Sequence, residues 1–490
     1  MIRCLIAIFA VLVASAAACA PSSPASQNSP QSASRPEASR TAGLVEVSGG
    51  SPMDLWMSRC LGSSGDQPVP RSEIEPHAAV APSNPDHIVA AWQVRGGGGG
   101  VLQVSASFDG GRTWAPARTL SFNACSGGPF DFLSHVSDPW VAIGPEGRVY
   151  VSGIAFHPTE GVDAAGAVIV ISSPDGGKTW DAPGVAALSR TPEFFHDNTA
   201  LAADPRHPGT AYVLTTRYEG DGRIGPASLS KTVDGGKTWS LIRGISPRTP
   251  GASRADAPQM VIDPRTGHLF VFYTHGPGGS SMSVLRSEDG GESWSPPVPV
   301  STGVPLAGQV TFPGTSTGVR IAPDIGHAAI DPRTGRLYAV FTNGSFTEGT
   351  SLQVGLVTSG DGGRTWTAPL RVSDDLALGA WRPALAVDAQ GRVAVSYFAP
   401  TFGEPVQGDR LPVSVHLVEI GLRADGTLTR GKDEVIDHFA WSPSPGVGHF
   451  LGDYNPLLVG RNGFLPLYSR STEAGARVVV ATTQTLSPRR

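Results

Sequence analysis

Acids and arginines recur in one setting along this chain, just ahead of short apolar stretches. Glu73 and Glu75 with His77, Asp138, His196 with Asp197, Arg254 with Asp256, Arg320 with Asp324, Arg382, and Asp453 with Tyr454 all stand there. Carboxyl groups move protons when their surroundings bring the pKa toward the working pH. A guanidinium offers paired, planar donors that grip a carboxylate. If these seven positions meet, they form a site for an anionic or polyhydroxylated ligand. The candidate catalytic residues are then Asp138, Asp197, Glu75 and Tyr454, and the candidate binding residues are Arg254, Arg320, Arg382, His196 and Asp453. Each also has a plain structural reading. Asp138 before Pro139 fits a turn cap, His196 with Asp197 a hydrogen-bonded pair, a pre-strand arginine a salt-bridged support, and Tyr454 a core aromatic.

What must position these residues is a repeat. SFDGGRTW from Ser107, SPDGGKTW from Ser173, TVDGGKTW from Thr232, SEDGGESW from Ser287 and SGDGGRTW from Ser359 share one pattern, and their aspartates lie 55 to 72 residues apart. The aspartate is placed to accept amide hydrogens of its own turn, the glycine pair permits positive φ, and the tryptophan packs on a neighbouring hairpin. A second pattern recurs from Ala78, Trp140, Ala200, Gln259, His327, Ala384 and Pro456: an apolar strand, a polar turn often of the form Asp-Pro-x-x-Gly, and a strand rich in Val, Tyr and Phe. The spacing is that of one small antiparallel sheet per repeat. Such a sheet has two apolar faces and must stack to bury both. An all-β, radially stacked β-propeller of four-stranded blades follows. Seven blades are preferred, with the segment from Leu44 supplying the fourth strand of the last blade, and six blades with a decorated end are the alternative.

Composition agrees with many strands joined by tight turns: 490 residues carry 61 glycines and 43 prolines, with few charged residues. The formal charge of -5 is spread out, with no basic tract, which argues against nucleic acid as a partner. No zinc-like spacing appears, and no metal or other cofactor is expected. The five-glycine run Gly96 to Gly100 lacks the strand and helix context of a phosphate loop.

At the start, Arg3, the apolar run Cys4 to Val13 and the small residues before Cys19 have the layout of an exported precursor. Residues 1–18 read as a signal peptide, residues 19–42 as a Ser/Pro/Ala-rich tether too poor in apolar bulk to fold, and residues 43–490 as the repeat domain. The cysteine at the expected cleavage point resembles that of a bacterial lipoprotein, which implies lipid on Cys19, a membrane anchor, and a place at the periplasm or cell exterior. Ala16 stands where that family usually has leucine, and ordinary secretion is the alternative. Of the cysteines left, Cys60 and Cys125 flank the first repeat and suit one disulfide in an exported protein, or two free thiols. A monomer is expected.

The aspartate turns resemble the Asp-box, or bacterial neuraminidase repeat, and the region from about Glu46 to Leu486 is similar to the sialidase-like propeller superfamily. The resemblance implies a carboxylate held by three arginines, an aspartate acid/base, and a tyrosine nucleophile paired with a glutamate. Here Arg254, Arg320 and Arg382 would form the triad, Tyr454 the nucleophile with Glu73 or Glu75 activating it, and Asp138 or Asp197 the acid/base. The family's Arg-Ile-Pro segment before the first box is missing; Arg71 and Arg95 are near but do not match it. The resemblance therefore implies a cell-envelope, glycan-acting protein, an exo-glycosidase of sialidase type, with a non-catalytic carbohydrate- or protein-binding propeller as the alternative.

Overall fold

The computed structural model describes residues 43–49, 71–96, 99–130, 132–157, 165–190, 194–219, 224–247, 256–276, 279–306, 311–321, 325–376, 378–401, 403–443, 448–473 and 475–482. The expected signal, Cys19, the tether, Cys60, Arg254 and Asp324 lie outside them. Cys125 is disulfide-bonded.

Strands come in antiparallel quartets. Five are separate four-stranded sheets, and two join into one open eight-stranded sheet. The first strands of the quartets are Arg71–Ala81, His135–Ile143, Phe194–Ala203, Asp256–Ile262, His327–Ile330, Trp381–Val387 and Leu457–Gly460. The seventh quartet is completed from the other end of the chain. Gly43–Glu46 pairs antiparallel with Gly475–Thr482, Leu44 opposite Ala481 and Val45 opposite Val480. The segment from Leu44 therefore takes the place that the repeat count assigned it.

Side chains alternate across a strand, so each sheet offers two apolar faces. In Asn84–Gly96, Ile88, Ala90 and Trp92 pack with Leu465, Leu467 and Val480 of the seventh quartet, while Val89 and Ala91 pack with Val141 and Val151 of the second. Every neighbouring pair of quartets is joined by such a core. Each first strand also packs on the first strand of the next quartet, and Leu457–Gly460 packs back on Arg71–Ala81.

The aspartate turns form as their residues require. In the third, Thr238 N donates to Asp234 Oδ1 at 3.0 Å, Thr238 Oγ1 to Oδ2 at 2.6 Å, and Gly236 N to Thr232 Oγ1 at 3.0 Å. The turn then docks on the preceding quartet, where Ser172 Oγ donates to Gly235 O at 2.9 Å. His87 Nε2 meets Gly176 O at 2.9 Å, and Lys231 Nζ donates to Gly290 O at 3.1 Å, in equivalent contacts. These aspartates are structural.

The Thr238 hydroxyl, then its amide, hold the Asp234 carboxyl down to about 2. A depressed carboxylate stabilises the fold above its unfolded pKa, about 4, and loses that contribution as pH falls through about 2. Asp234→Asn should therefore be less stable than wild type at neutral pH, with the difference in urea midpoint shrinking between about pH 4 and 2. A gap unchanged at pH 2 would refute the ionic role. Deleting residues 43–46 should lower the melting temperature by several degrees, about 5 °C, because it strips a paired strand and opens the edge of Gly475–Thr482. Calorimetry showing an unchanged transition would contradict this.

Candidate functional site

Five of the seven first strands are broken by a β-bulge at one equivalent point, and each bulge holds a non-glycine residue with positive φ: Glu75 (53°), Asp138 (55°), Asn198 (53°), Ala257 (44°) and Arg382 (51°). Four of the five precede a proline, namely Pro76, Pro139, Pro258 and Pro383. Proline has no N–H for the ladder, so pairing skips there and an extra residue is absorbed. A left-handed conformation at such residues costs about 1–3 kcal/mol each and persists only where the surroundings enforce it.

The enforcement comes from neighbouring quartets. Asn198 N donates to Asp138 Oδ2 at 2.7 Å, and Thr199 Oγ1 to Asp138 O at 2.6 Å. Thr216 Oγ1 donates to Asp256 Oδ1 at 3.1 Å. On the other side, Gly452 (φ 102°) passes so near Glu75 that a Cβ there would lie 2.4 Å from the Glu75 N. Only glycine tolerates that approach.

The bulges at Glu75, Asp138 and Asn198 line a cavity of about 360 Å³. Glu75, Asp138, Asp197, Asp256 and Asp453 line it with Arg95 and Arg320. Phe156, Phe195 and Tyr218 form a row of rings on its wall, with centroids 5.9 Å apart for the first pair and 6.3 Å for the second. Beneath lies an aromatic cluster at the junction of several quartets: His77 stacks on Trp140 at 3.9 Å, Trp140 lies 6.5 Å from His327 in a stacked arrangement, and Tyr454 lies 5.4 Å from Trp140. Burial, then the neighbouring imidazole of His327, pushes His77 well below its ordinary value, and burial, then Arg382, lowers His327 to about 4. Both rings are therefore neutral at physiological pH.

Electrostatics single out the acids. Burial, then the charge of Asp138 and a hydrogen bond with it, raises Asp197 well above the carboxylate range. Asp197 is therefore the carboxyl of this wall that burial and the neighbouring acid keep protonated above the ordinary range. Glu75 is raised for the same reasons, burial first and then Asp138 and Asp453. Its Oε2 is buried and finds no hydrogen-bond partner among the described residues. Asp453 is raised by burial despite its ion pair with Arg320, and its Oδ1 is likewise unpartnered.

Of the residues singled out in the sequence, Glu75, Asp138, Asp197, Asp453 and Arg320 meet at the cavity. Four others are seated elsewhere. The Arg382 side chain is buried, and its Nη2 donates to Leu451 O at 3.2 Å and Tyr454 O at 3.0 Å, which ties the sixth quartet to the segment before the seventh. The Tyr454 hydroxyl is buried and donates to Pro139 O at 3.1 Å. His196 is buried and not among the lining residues, and burial followed by Arg217 lowers it to about 4. Glu73 pairs with Arg477 at 3.3 Å. Asp256 and Arg95, outside the candidate set, also line the cavity. The acid–proline and arginine–proline steps ahead of the apolar strands were the available signal for the ring of bulges.

A second cluster needs separating from this site. Ser414 Oγ lies 2.8 Å from His416 Nε2, and His416 Nδ1 lies 2.8 Å from Asp433 Oδ1. This is the bonding order of a Ser–His–Asp triad. Ser414 is, however, 3% exposed, and Asp433 also accepts bonds from Tyr397 and Arg430, whose Nε reaches Val372 O of the fifth quartet. The chain of bonds is complete and none of its members lines the cavity, so it serves as an interface clamp.

Residues 75–313 match the BNR repeat-like domain. A sialidase of Bacteroides fragilis (strain YCH46) is 24% identical over 282 residues, which cover 54% of this chain and 47% of that protein, so the chain spans about half the length of this relative. Among solved structures, a Trypanosoma rangeli sialidase is similar with a TM-score of 0.44 and 14% identity, over 86% of this chain and 56% of that one. A protein of unknown function from Dyadobacter fermentans DSM 18053 has a TM-score of 0.42 and 16% identity, over 71% and 93%. With five Asp-box turns and the match across residues 75–313, the chain carries BNR repeats and is similar to the sialidase-like superfamily of BNR-repeat proteins.

Proposed function

We propose that this chain is a glycan-acting, seven-bladed propeller of the cell envelope, with its site in the cavity lined by the bulges at Glu75, Asp138 and Asn198. The cyclic contacts of the first strands and the completion of the seventh quartet by Gly43–Glu46 support the blade count. The leader-like first 18 residues, Cys19 and the Ser/Pro-rich stretch to residue 42 support export and a lipid anchor.

The observation that carries the functional reading is the convergence of Glu75, Asp138 and Asp197 on one cavity, where burial and then Asp138 raise Asp197. A carboxyl that stays protonated above its ordinary range is the acid that glycosidic cleavage needs, because the leaving oxygen must be protonated as the bond breaks. Glu75 is a further acid at the cavity, raised by burial and then by Asp138 and Asp453, and is a second candidate proton donor. Asp138 and Asp197 act as one acid unit, since carboxyls in hydrogen-bond contact leave no room between them for a sugar carbon or a water.

Two features favour binding without turnover as the second reading. The Tyr454 hydroxyl is committed to Pro139 O, and the Arg320 guanidinium to Asp453. A sialidase-type tyrosine nucleophile is thus not poised.

A panel of 4-methylumbelliferyl glycosides, one sialoside and several neutral sugars, separates these readings. If the chain is a hydrolase, one of them is cleaved, Asp197→Asn lowers the rate about 100-fold or more, and Tyr454→Phe retains most of it. Release from none, with glycan binding intact, moves the protein to the binding reading. The same variant has a stability signature. A carboxyl raised in the fold contributes stability below its unfolded pKa, about 4, and loses it as pH rises through the folded value. Asp197→Asn should therefore gain urea resistance relative to wild type as pH rises from 4 to 8. A gap that stays constant over that range would contradict the raised carboxyl.

A further inference from the structure

We propose that the cavity selects a sugar unit that carries no acid group and enters with hydroxyl or amine hydrogens directed at Glu75 and Asp453. This rests on the glycan-binding reading above and departs from the substrate that the superfamily's sialidase members would suggest.

The first support is the charge of the walls. Five carboxyl groups line the cavity against two guanidinium groups, those of Arg95 and Arg320. Arg320 is already engaged, paired with Asp453 and laid over the Phe450 ring at 4.2 Å. The guanidinium of Arg382 donates to two backbone carbonyls instead of lining the cavity. A carboxylate that drew Arg320 away from Asp453 would leave Asp453, 8% exposed, as a buried acid without that counter-charge, and one that shared Arg320 or met Arg95 would still face the other acids of the wall. Like charges repel there.

The second support is independent of charge counting. Glu75 is 3% exposed, and its Oε2 has no hydrogen-bond partner among the described residues; Asp453 Oδ1 is in the same condition. Buried carboxyl oxygens without donors are costly to keep, and both residues line the cavity. A sugar hydroxyl both donates and accepts, so it satisfies such a carboxyl in either protonation state, whereas a carboxylate can only accept. Opposite in character are Phe156, Phe195 and Tyr218, a ring-lined wall suited to the C–H face of a sugar. A cavity of about 360 Å³ falls in the small-ligand range and holds one or two sugar units.

The test is calorimetric titration of the whole domain with lactose, 3′-sialyllactose, chitobiose and the deacetylated glucosamine disaccharide, backed by an array of neutral, amino and acidic glycans. The expected result is binding of one or more neutral or amino sugars, at least tenfold weaker binding of their acid-bearing counterparts, and loss of binding in Phe195→Ala. Asp453→Asn, which releases Arg320, should narrow the discrimination against 3′-sialyllactose about tenfold. Preferential binding of 3′-sialyllactose over lactose, abolished by Arg320→Ala, would overturn this inference and leave the glycan-acting function standing. Capture of no glycan of any class by a protein with native circular dichroism would overturn both.

Discussion

The whole arrangement follows from one constraint: a four-stranded sheet with apolar side chains on both faces has no stable position at a surface. Ile88, Ala90 and Trp92 on one face and Val89 and Ala91 on the other each need a neighbouring sheet. Every quartet meets that need twice, and the chain end Gly475–Thr482 meets it by pairing with Gly43–Glu46. Once each sheet is flanked by two others, the first strands are forced into mutual contact at one place. That convergence, more than any single motif, brings Glu75, Asp138, Asp197, Asp256 and Asp453 together across a chain distance of nearly 400 residues.

The convergence has to be made open, since seven regular strands would simply pack their side chains against one another. The bulges do this. At Glu75, Asp138 and Asn198 the ladder gives up a residue, the backbone turns to positive φ, and the side chains stand out of the regular alternation. The local cost is offset by bonds between quartets, such as Asn198 N to Asp138 Oδ2 and Thr199 Oγ1 to Asp138 O, so strain and site occur at the same residues.

Much of the fold was legible because it rests on local chemistry written repeatedly. Asp234, its glycine pair and Thr238 specify their turn by themselves, and the alternating apolar strands declare two buried faces. The site was legible only in part, because a bulge changes which face a residue takes. Glu75 and His77 are two apart and should share a face, yet the register shift between Ile74 and His77 separates them: Glu75 borders the cavity and His77 stacks on Trp140 below it. Arg382 and Tyr454 were chosen by type, but type does not reveal that the carbonyls of Leu451, Tyr454 and Pro139 use their polar atoms. Arg95 was visible but lies at the end of a second strand, where attention to first strands does not look.

Satisfaction of hydrogen bonds, more than residue type, distinguishes chemistry from scaffolding in this protein. Ser414, His416 and Asp433 have the residue types and bonding order of a hydrolytic triad, but their polar atoms are spent on one another, on Tyr397 and on Arg430. They hold two quartets together, as a closed network does. The Asp-box carboxyls are equally spent on their own turns. At the cavity the balance is reversed: Asp197 holds a proton against Asp138, while Glu75 Oε2 and Asp453 Oδ1 are buried without a donor. Replacing Glu75 or Asp197 by an apolar residue would relieve both burial and repulsion, so stability alone does not account for them. The gain lies in what a donor-bearing ligand completes on arrival: bonds to oxygens already desolvated and held in place, for which the scaffold has met the cost in advance.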